Sequence, residues 1–334
     1  MPVTVSSARS HRRPTILDVA ARAGVSIKTV SRVVNGEAYV AEATATRVRQ
    51  AIDDLGFRRN DLAHLLRKQR AATIGLVIED LGNPFYAMIA RGVERAVHEH
   101  DSVLVVSSSE EDPEREHALM ATLLRRVDGL LLVPTNQDHS FLRSEVERGT
   151  AIVCLDRPAP GLDVDCVLLD NFRGAYDAVS YLLGRGHRRV AIVSGGPGVW
   201  TGAERRRGYE TALREQGVDV DPGLIVEGCF EVPEADRGTQ HLLTLADPPT
   251  AIFADNNRCA VGVLRAVAPS PAHLDVAGFD DFDLASVVRP PITTVSHDPS
   301  QMGRRAAELL FDRIAGSHEP PRQVVIPVQL TVRT

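Results

Sequence analysis

Between Gly24 and Gly36 the chain reads VSIKTVSRVVN. Lys28 in this stretch is one of only two lysines in 334 residues; the other is Lys68. Val30, Val33 and Val34 recur at helical spacing and need a core, so Ile27, Lys28, Ser31 and Arg32 face outward. An ammonium and a guanidinium suit the O6 and N7 acceptors of guanine, and an isoleucine suits a thymine methyl. Ser26 can cap this helix, and Asn35-Gly36 ends it. Ser26, Thr29 and Asn35, with Thr15 at the start of the preceding helix, complete the candidate DNA-facing set.

A second group of reactive side chains is spread along the rest of the chain. Asn83, Phe85 and Tyr86 follow the apolar run TIGLVIED, and Asp156-Arg157 follows AIVCL. Arg205 opens the helix after AIVSGG, Asn256 follows AIFAD and Asp280 follows VAGF. Carboxylates accept paired hydrogen bonds from adjacent hydroxyls, Arg and Asn add donors, and aromatic faces cover apolar ring carbons. That mixture suits a sugar or polyol, and Arg with Asp also suits other small polar ligands. Catalytic signatures do not compete: neither lysine is preceded by Gly, and GxSxG and HExxH are missing, so no enzyme is expected. No metal site or cofactor is expected either.

These residues need elements to hold them. Thr15-Ile16-Leu17-Asp18 has capping-box spacing, and Ile16, Val19, Ala20 and Ala23 form one apolar face. Gly24 ends that helix, and a third helix from about Glu42 to Leu55 turns Val48, Ala51, Ile52 and Leu55 inward. Two short helices joined by a Gly-containing turn and closed by a third make the helix-turn-helix plan. From residue 73 apolar strand-length runs alternate with helical spacings, and after DCVLLDN the alternation restarts. Such alternation predicts parallel sheets, and two series predict two doubly wound lobes.

Charge divides the chain in the same place. Residues 1–70 carry 13 Lys and Arg against 6 Asp and Glu, a net +7, whereas the whole chain is at −6. A basic head on an acidic body points to a polyanion partner for the head alone. Hydrophobic content of 43% and charged content of 25% describe an ordinary globular protein. No run of about 18 apolar residues predicts a membrane span, and the basic start MPVTVSSARSHRRP lacks the apolar stretch of a secretory signal. Cys154, Cys166, Cys229 and Cys259 show no CxxC spacing and are expected as buried thiols in a reducing cytoplasm.

The stretch TILDVAARAGVSIKTVSRVVNG resembles the DNA-binding head of the lac repressor/galactose repressor family of bacterial transcription regulators, and the likeness runs over nearly the whole chain. It implies a helix-turn-helix head over 1–60, a hinge over 61–72 and an effector-binding and dimerisation body over 73–334. The body would be periplasmic-binding-protein-like, with lobe 1 about 73–170 plus 297–318 and lobe 2 about 171–296 plus 319–334. Ile27, Lys28 and Arg32 fall on the base-reading positions. The resemblance also puts Asn60, at the end of the head, and Ala63 and His64 of the hinge at the DNA, and makes Leu66 the leucine that wedges between base steps. Effector contacts fall on Asn83, Phe85, Tyr86, Asp156, Arg157, Arg205, Phe230, Asn256, Asp280 and His297.

The chain departs from the family pattern in places. Ala41 and Ala45 replace a Ser cap and an Arg, which removes expected phosphate contacts; Arg59 replaces a Pro, and His64 a longer polar side chain. Asn257 replaces an Asp, expected to alter a helix start, and His297 replaces a Gln. The resemblance further implies a cytoplasmic repressor that holds operator DNA and answers a small effector by changing its lobe angle. Inducer and corepressor both remain open. The end VQLTVRT carries no heptad tail, which in this family implies a homodimer. A purine- or nucleoside-responsive regulator is the alternative, because Phe85, Tyr86 and Phe230 could stack on a base. A secreted sugar receptor would fit the body but not the head.

Overall fold

A computed structural model describes residues 16–34, 40–55, 72–269 and 274–333, without the side chains of Ile16, Ser31 and Val34. Thr15, Asn35, Asn60, Ala63, His64 and Leu66 lie outside the described residues.

In the head, α1 spans Ile16–Ala23, α2 Ile27–Val34 and α3 Glu42–Leu55. Val19, Ala20 and Ala23 meet Val30, Val48 and Ala51 in a small core, flanked by Val25, Val33, Ile52 and Leu55. Gly24 sits at φ +65°, the left-handed conformation that stops α1. The Ser26 hydroxyl accepts from the Thr29 amide at 3.1 Å, so it caps α2 as expected. An ion pair of 3.1 Å between Arg22 and Asp54 ties α3 to α1.

The body holds two six-stranded sheets. The first contains β1 (Thr73–Ile78), β2 (Val103–Ser108), β3 (Gly129–Leu132), β4 (Ala151–Leu155), β5 (Asp165–Leu169) and β11 (Gln323–Ile326), in the order β11-β5-β4-β3-β1-β2. Around it lie α4 (Pro84–Glu99), α5 (Pro113–Leu123), the short α6 (Arg143–Glu147) and α11 (Pro299–Ile314). The second contains β6 (Val190–Val193), β7 (Ile225–Val226), β8 (Ala251–Ala254), β9 (Asp275–Phe279), β10 (Ile292–Ser296) and β12 (Gln329–Thr331), in the order β12-β10-β9-β8-β6-β7. Its helices are α7 (Asn171–Gly184), α8 (Trp200–Glu215), α9 (Val232–Leu243) and α10 (Asn257–Val267). All pairings are parallel except β10 with β12. The inner strands are buried on both faces, as their unbroken apolar runs require.

Two departures from the expected layout have physical reasons. QVVIPVQL is two strands, because Pro327 has no N–H to pair and breaks the run. Its first half pairs with β5, Gln323 beside Cys166, so 319–326 belongs with lobe 1 rather than lobe 2. The buried Asp165 carboxylate holds it there, accepting Arg313 Nε at 2.7 Å, Arg313 Nη2 at 3.0 Å and the Arg322 amide at 2.7 Å. The other departure is β10, a β-branched strand after Pro290-Pro291 that the alternation of runs does not mark. Within lobe 1, α11 crosses α4 at backbone contact: a Cβ on Gly303 would stand 2.1 Å from the Ile89 carbonyl oxygen. The four cysteines are buried and free.

Candidate effector cleft and DNA-reading surface

On the head, Ile27 is 46% exposed and Lys28 is exposed, while Thr29 and Arg32 are half-buried. Ile27 and Lys28 therefore stand clear of the buried Val30 of the same helix. Ser26 and Thr29 share a hydroxyl contact of 2.9 Å at its start. Ala41 occupies the N-cap of α3 and gives it only a carbonyl, at 3.0 Å from the Ala45 amide. Ala45 is itself buried.

In the body, the polar residues gather where carboxyl ends of strands face one another, the usual ligand position in open α/β sheets. One cleft is lined from lobe 1 by Asn83, Phe85, Tyr86, Asp156 and Arg157, and from lobe 2 by Arg205, Phe230, Asn256 and Asp280. Nine of the ten expected effector residues thus share one site. His297 is the exception: it stands behind Asp280, with Nε2 3.6 Å from a carboxylate oxygen, between the rings of Phe85 and Phe279. Burial lowers its pKa, which favours the neutral imidazole, against the pull of Asp280.

Each lobe contributes an aspartate in a strained backbone position. Asp156 follows β4 at φ +67° and Asp280 follows β9 at φ +66°. A non-glycine residue is uncommon there, and such strain collects at functional sites. Both side chains are buried, and each has an Oδ1 without a hydrogen-bond partner among the described residues. Burial raises the pKa of Asp156 despite the neighbouring arginines.

The arginines beside them are held by other groups. Arg205 Nε donates to Asn171 Oδ1 at 2.8 Å, and its Nη1 to the Asp255 carbonyl at 2.6 Å. Its guanidinium lies 3.8 Å over the Phe279 ring, with Asp280 at 3.9 Å. Arg157 Nη2 meets Glu79 at 2.9 Å, Glu111 at 2.6 Å and the Tyr86 hydroxyl at 3.1 Å, which leaves Nε and Nη1 without a hydrogen-bond partner among the described residues. Tyr86 donates its own proton to Glu79 at 2.7 Å.

Asn83 and Asn256 cap α4 and α10, accepting the Phe85 and Cys259 amides at 3.1 and 2.8 Å. Phe230 is 57% exposed on the loop before α9. Sequence reasoning missed Glu79, Glu111, Asp255, Asn257 and Arg258, which also line the cleft. Asp255 was readable, since it sits beside Asn256 at a strand end. Glu79 and Glu111 become site residues only by closing on Arg157.

A helix-turn-helix head, with two lobes that face each other across buried polar atoms unsatisfied among the described residues, defines a DNA-binding regulator controlled by a small ligand. The comparisons with known proteins agree. Residues 15–60 match the bacterial regulatory proteins, lacI family, and residues 179–334 a periplasmic binding protein-like domain. The transcriptional regulator CelR of Thermobifida fusca is 34% identical over 334 residues, covering 97% of this chain and 98% of its own. A solved CelR–cellobiose complex superposes with a TM-score of 0.72 at 34% identity, covering 96% of this chain and 99% of that one. The lac repressor dimer bound to operator and the anti-inducer ONPF gives a TM-score of 0.77 at 25% identity, with 96% and 98% covered. The chain belongs to the LacI family and is a ligand-controlled, DNA-binding transcription regulator.

Proposed function

We propose that this regulator is a cytoplasmic, homodimeric repressor without catalytic activity, and that its operator affinity is set by a carbohydrate bound between the lobes. The base-reading contacts are assigned to Ile27, Lys28 and Arg32, with Ser26, Thr29 and Ser31 beside them. Thr15, Asn35, Asn60, Ala63, His64 and Leu66 are proposed to complete the DNA contacts. The effector contacts are assigned to the nine cleft residues, with His297 as their backing.

The observation that carries this reading is the pair of buried aspartates, Asp156 and Asp280, each with one oxygen unpartnered among the described residues. A buried acceptor without a partner costs about 1–3 kcal/mol. A ligand hydroxyl on each would offset that cost in the closed arrangement, so the ligand favours closure by its differential affinity. Relatives named for cellobiose and ribose support a sugar. A nucleoside is the second reading: its ribose offers the same hydroxyls, and Phe230 presents an exposed ring at the cleft. Calorimetry of the full chain with sugars and nucleosides, beside operator titrations, tests both; no binding by either class would reject the reading.

A further inference from the structure

Three arginines line the cleft, and each already faces at least one carboxylate. Arg157 faces Glu79, Glu111 and, at 3.5 Å, Asp156. Arg205 is committed to Asn171, the Asp255 carbonyl and Asp280. Arg258 bonds Asp80 and, at 2.5 Å, Glu231. Against these three stand five lining carboxylates, Glu79, Glu111, Asp156, Asp255 and Asp280.

One feature could still attract a phosphate: the N-terminus of α8, which has no side-chain cap and follows the glycine-rich loop 195–198. Oxygen acceptors stand close to that end. A Cβ on Gly202 would stand 2.3 Å from the Gly196 carbonyl oxygen and 3.9 Å from an Asp255 carboxylate oxygen. Asp255 in turn accepts the Ser194 hydroxyl at 2.6 Å. Burial raises the Asp255 carboxyl against the pull of Arg205, and burial pushes Glu111 up to about 7, with Arg157 opposing the rise and Glu79 adding to it.

The atoms that remain unpartnered are of another kind. Among the described lining residues they are Oδ1 of Asp156 and of Asp280, which accept from hydroxyls and would repel an anion, and Nε and Nη1 of Arg157, which can donate to a ligand oxygen. We propose that the cleft selects an uncharged polyhydroxyl effector and excludes the phosphate ester of that same compound. This rests on the reading of the cleft as the effector site and adds the charge class of its ligand.

The test is a calorimetric panel of matched pairs on the full chain: ribose, glucose, cytidine and adenosine, each against its 5- or 6-phosphate, with cellobiose as a larger neutral probe. At least one neutral compound binds, and its ester binds weaker by about 100-fold or more, since like-charge juxtaposition costs several kcal/mol. The double variant Glu79→Gln, Glu111→Gln frees Arg157 and narrows that gap by roughly tenfold, about one ionic contact. An ester that binds as tightly as its parent overturns the charge selection while leaving the effector cleft in place. A panel in which nothing binds overturns the sugar or nucleoside reading itself, and the charge selection with it.

Discussion

Asn257, the first residue of α10 in lobe 2, donates its Nδ2 to Asn83 Oδ1 in lobe 1 at 2.8 Å. Its neighbour Arg258 pairs with Asp80 of lobe 1. One helix start therefore grips two residues of the facing lobe. The departure at Asn257 was expected to alter the helix start, but Asn256 supplies that cap. Residue 257 bridges the lobes instead, and an amide can donate where an aspartate cannot.

Asn257→Asp would set a carboxylate against Asn83 Oδ1. Flipping the Asn83 amide would satisfy it only by losing the Phe85 cap. We expect a loss of about 1–3 kcal/mol in body stability and a more open ligand-free body. Chemical denaturation and small-angle scattering measure the two effects; an unchanged radius of gyration would show that this bond does not hold the lobes.

Asp280→Asn keeps the side-chain size and suits the left-handed backbone, which Asn also tolerates. It removes a buried carboxylate whose Oδ1 has no hydrogen-bond partner among the described residues. The expected result is lost effector binding with ligand-free melting unchanged or higher. If melting falls while effector affinity stays at the wild-type value, Asp280 is a structural group.

Glu111 gives the body a pH dependence. Its carboxyl is pushed up to about 7 by burial, with Glu79 adding to the rise and Arg157 opposing it. A folded pKa above the usual 4.5 means that the stabilising contribution is complete below about pH 4.5 and is lost as pH rises through 7. Glu111→Gln should remove this dependence, with a gain relative to wild type on the order of 1–3 kcal/mol at pH 8 compared with pH 4.5. Parallel stability profiles for the two proteins from pH 4.5 to 8 would contradict it.

Arg32→Ala should weaken specific operator binding by about 1–3 kcal/mol and relax selectivity at one base pair. Equal losses on operator and random DNA would make Arg32 a phosphate contact. Lys28→Ala is expected to have the smaller effect, because a flexible ammonium reads bases less selectively than a planar guanidinium.

The parts legible in the sequence were those with local causes. Helical spacing located Val19, Val30 and Val48 in one core, and strand-length apolar runs located Asp156, Asn256 and Asp280 at strand ends. What stayed hidden depends on distant approach. Glu79 meets Arg157 from 78 positions away, and Asn257 meets Asn83 from 174. The true crossing near Pro327 was hidden for the same reason, since Asp165 draws Arg322 to β5 across 157 positions. His297 falls on an effector position by resemblance, yet burial behind Asp280 removes it from the cleft surface.

The most direct test of ligand-controlled DNA binding is an operator titration of the full chain with and without a compound that calorimetry shows to bind. Wild type should shift its operator affinity by about 5–150-fold, the usual coupling of 1–3 kcal/mol. Asp280→Asn should hold the operator as tightly as ligand-free wild type and show no shift. A compound that binds the wild-type cleft yet leaves operator affinity unchanged, or a full response retained in Asp280→Asn, would contradict the account.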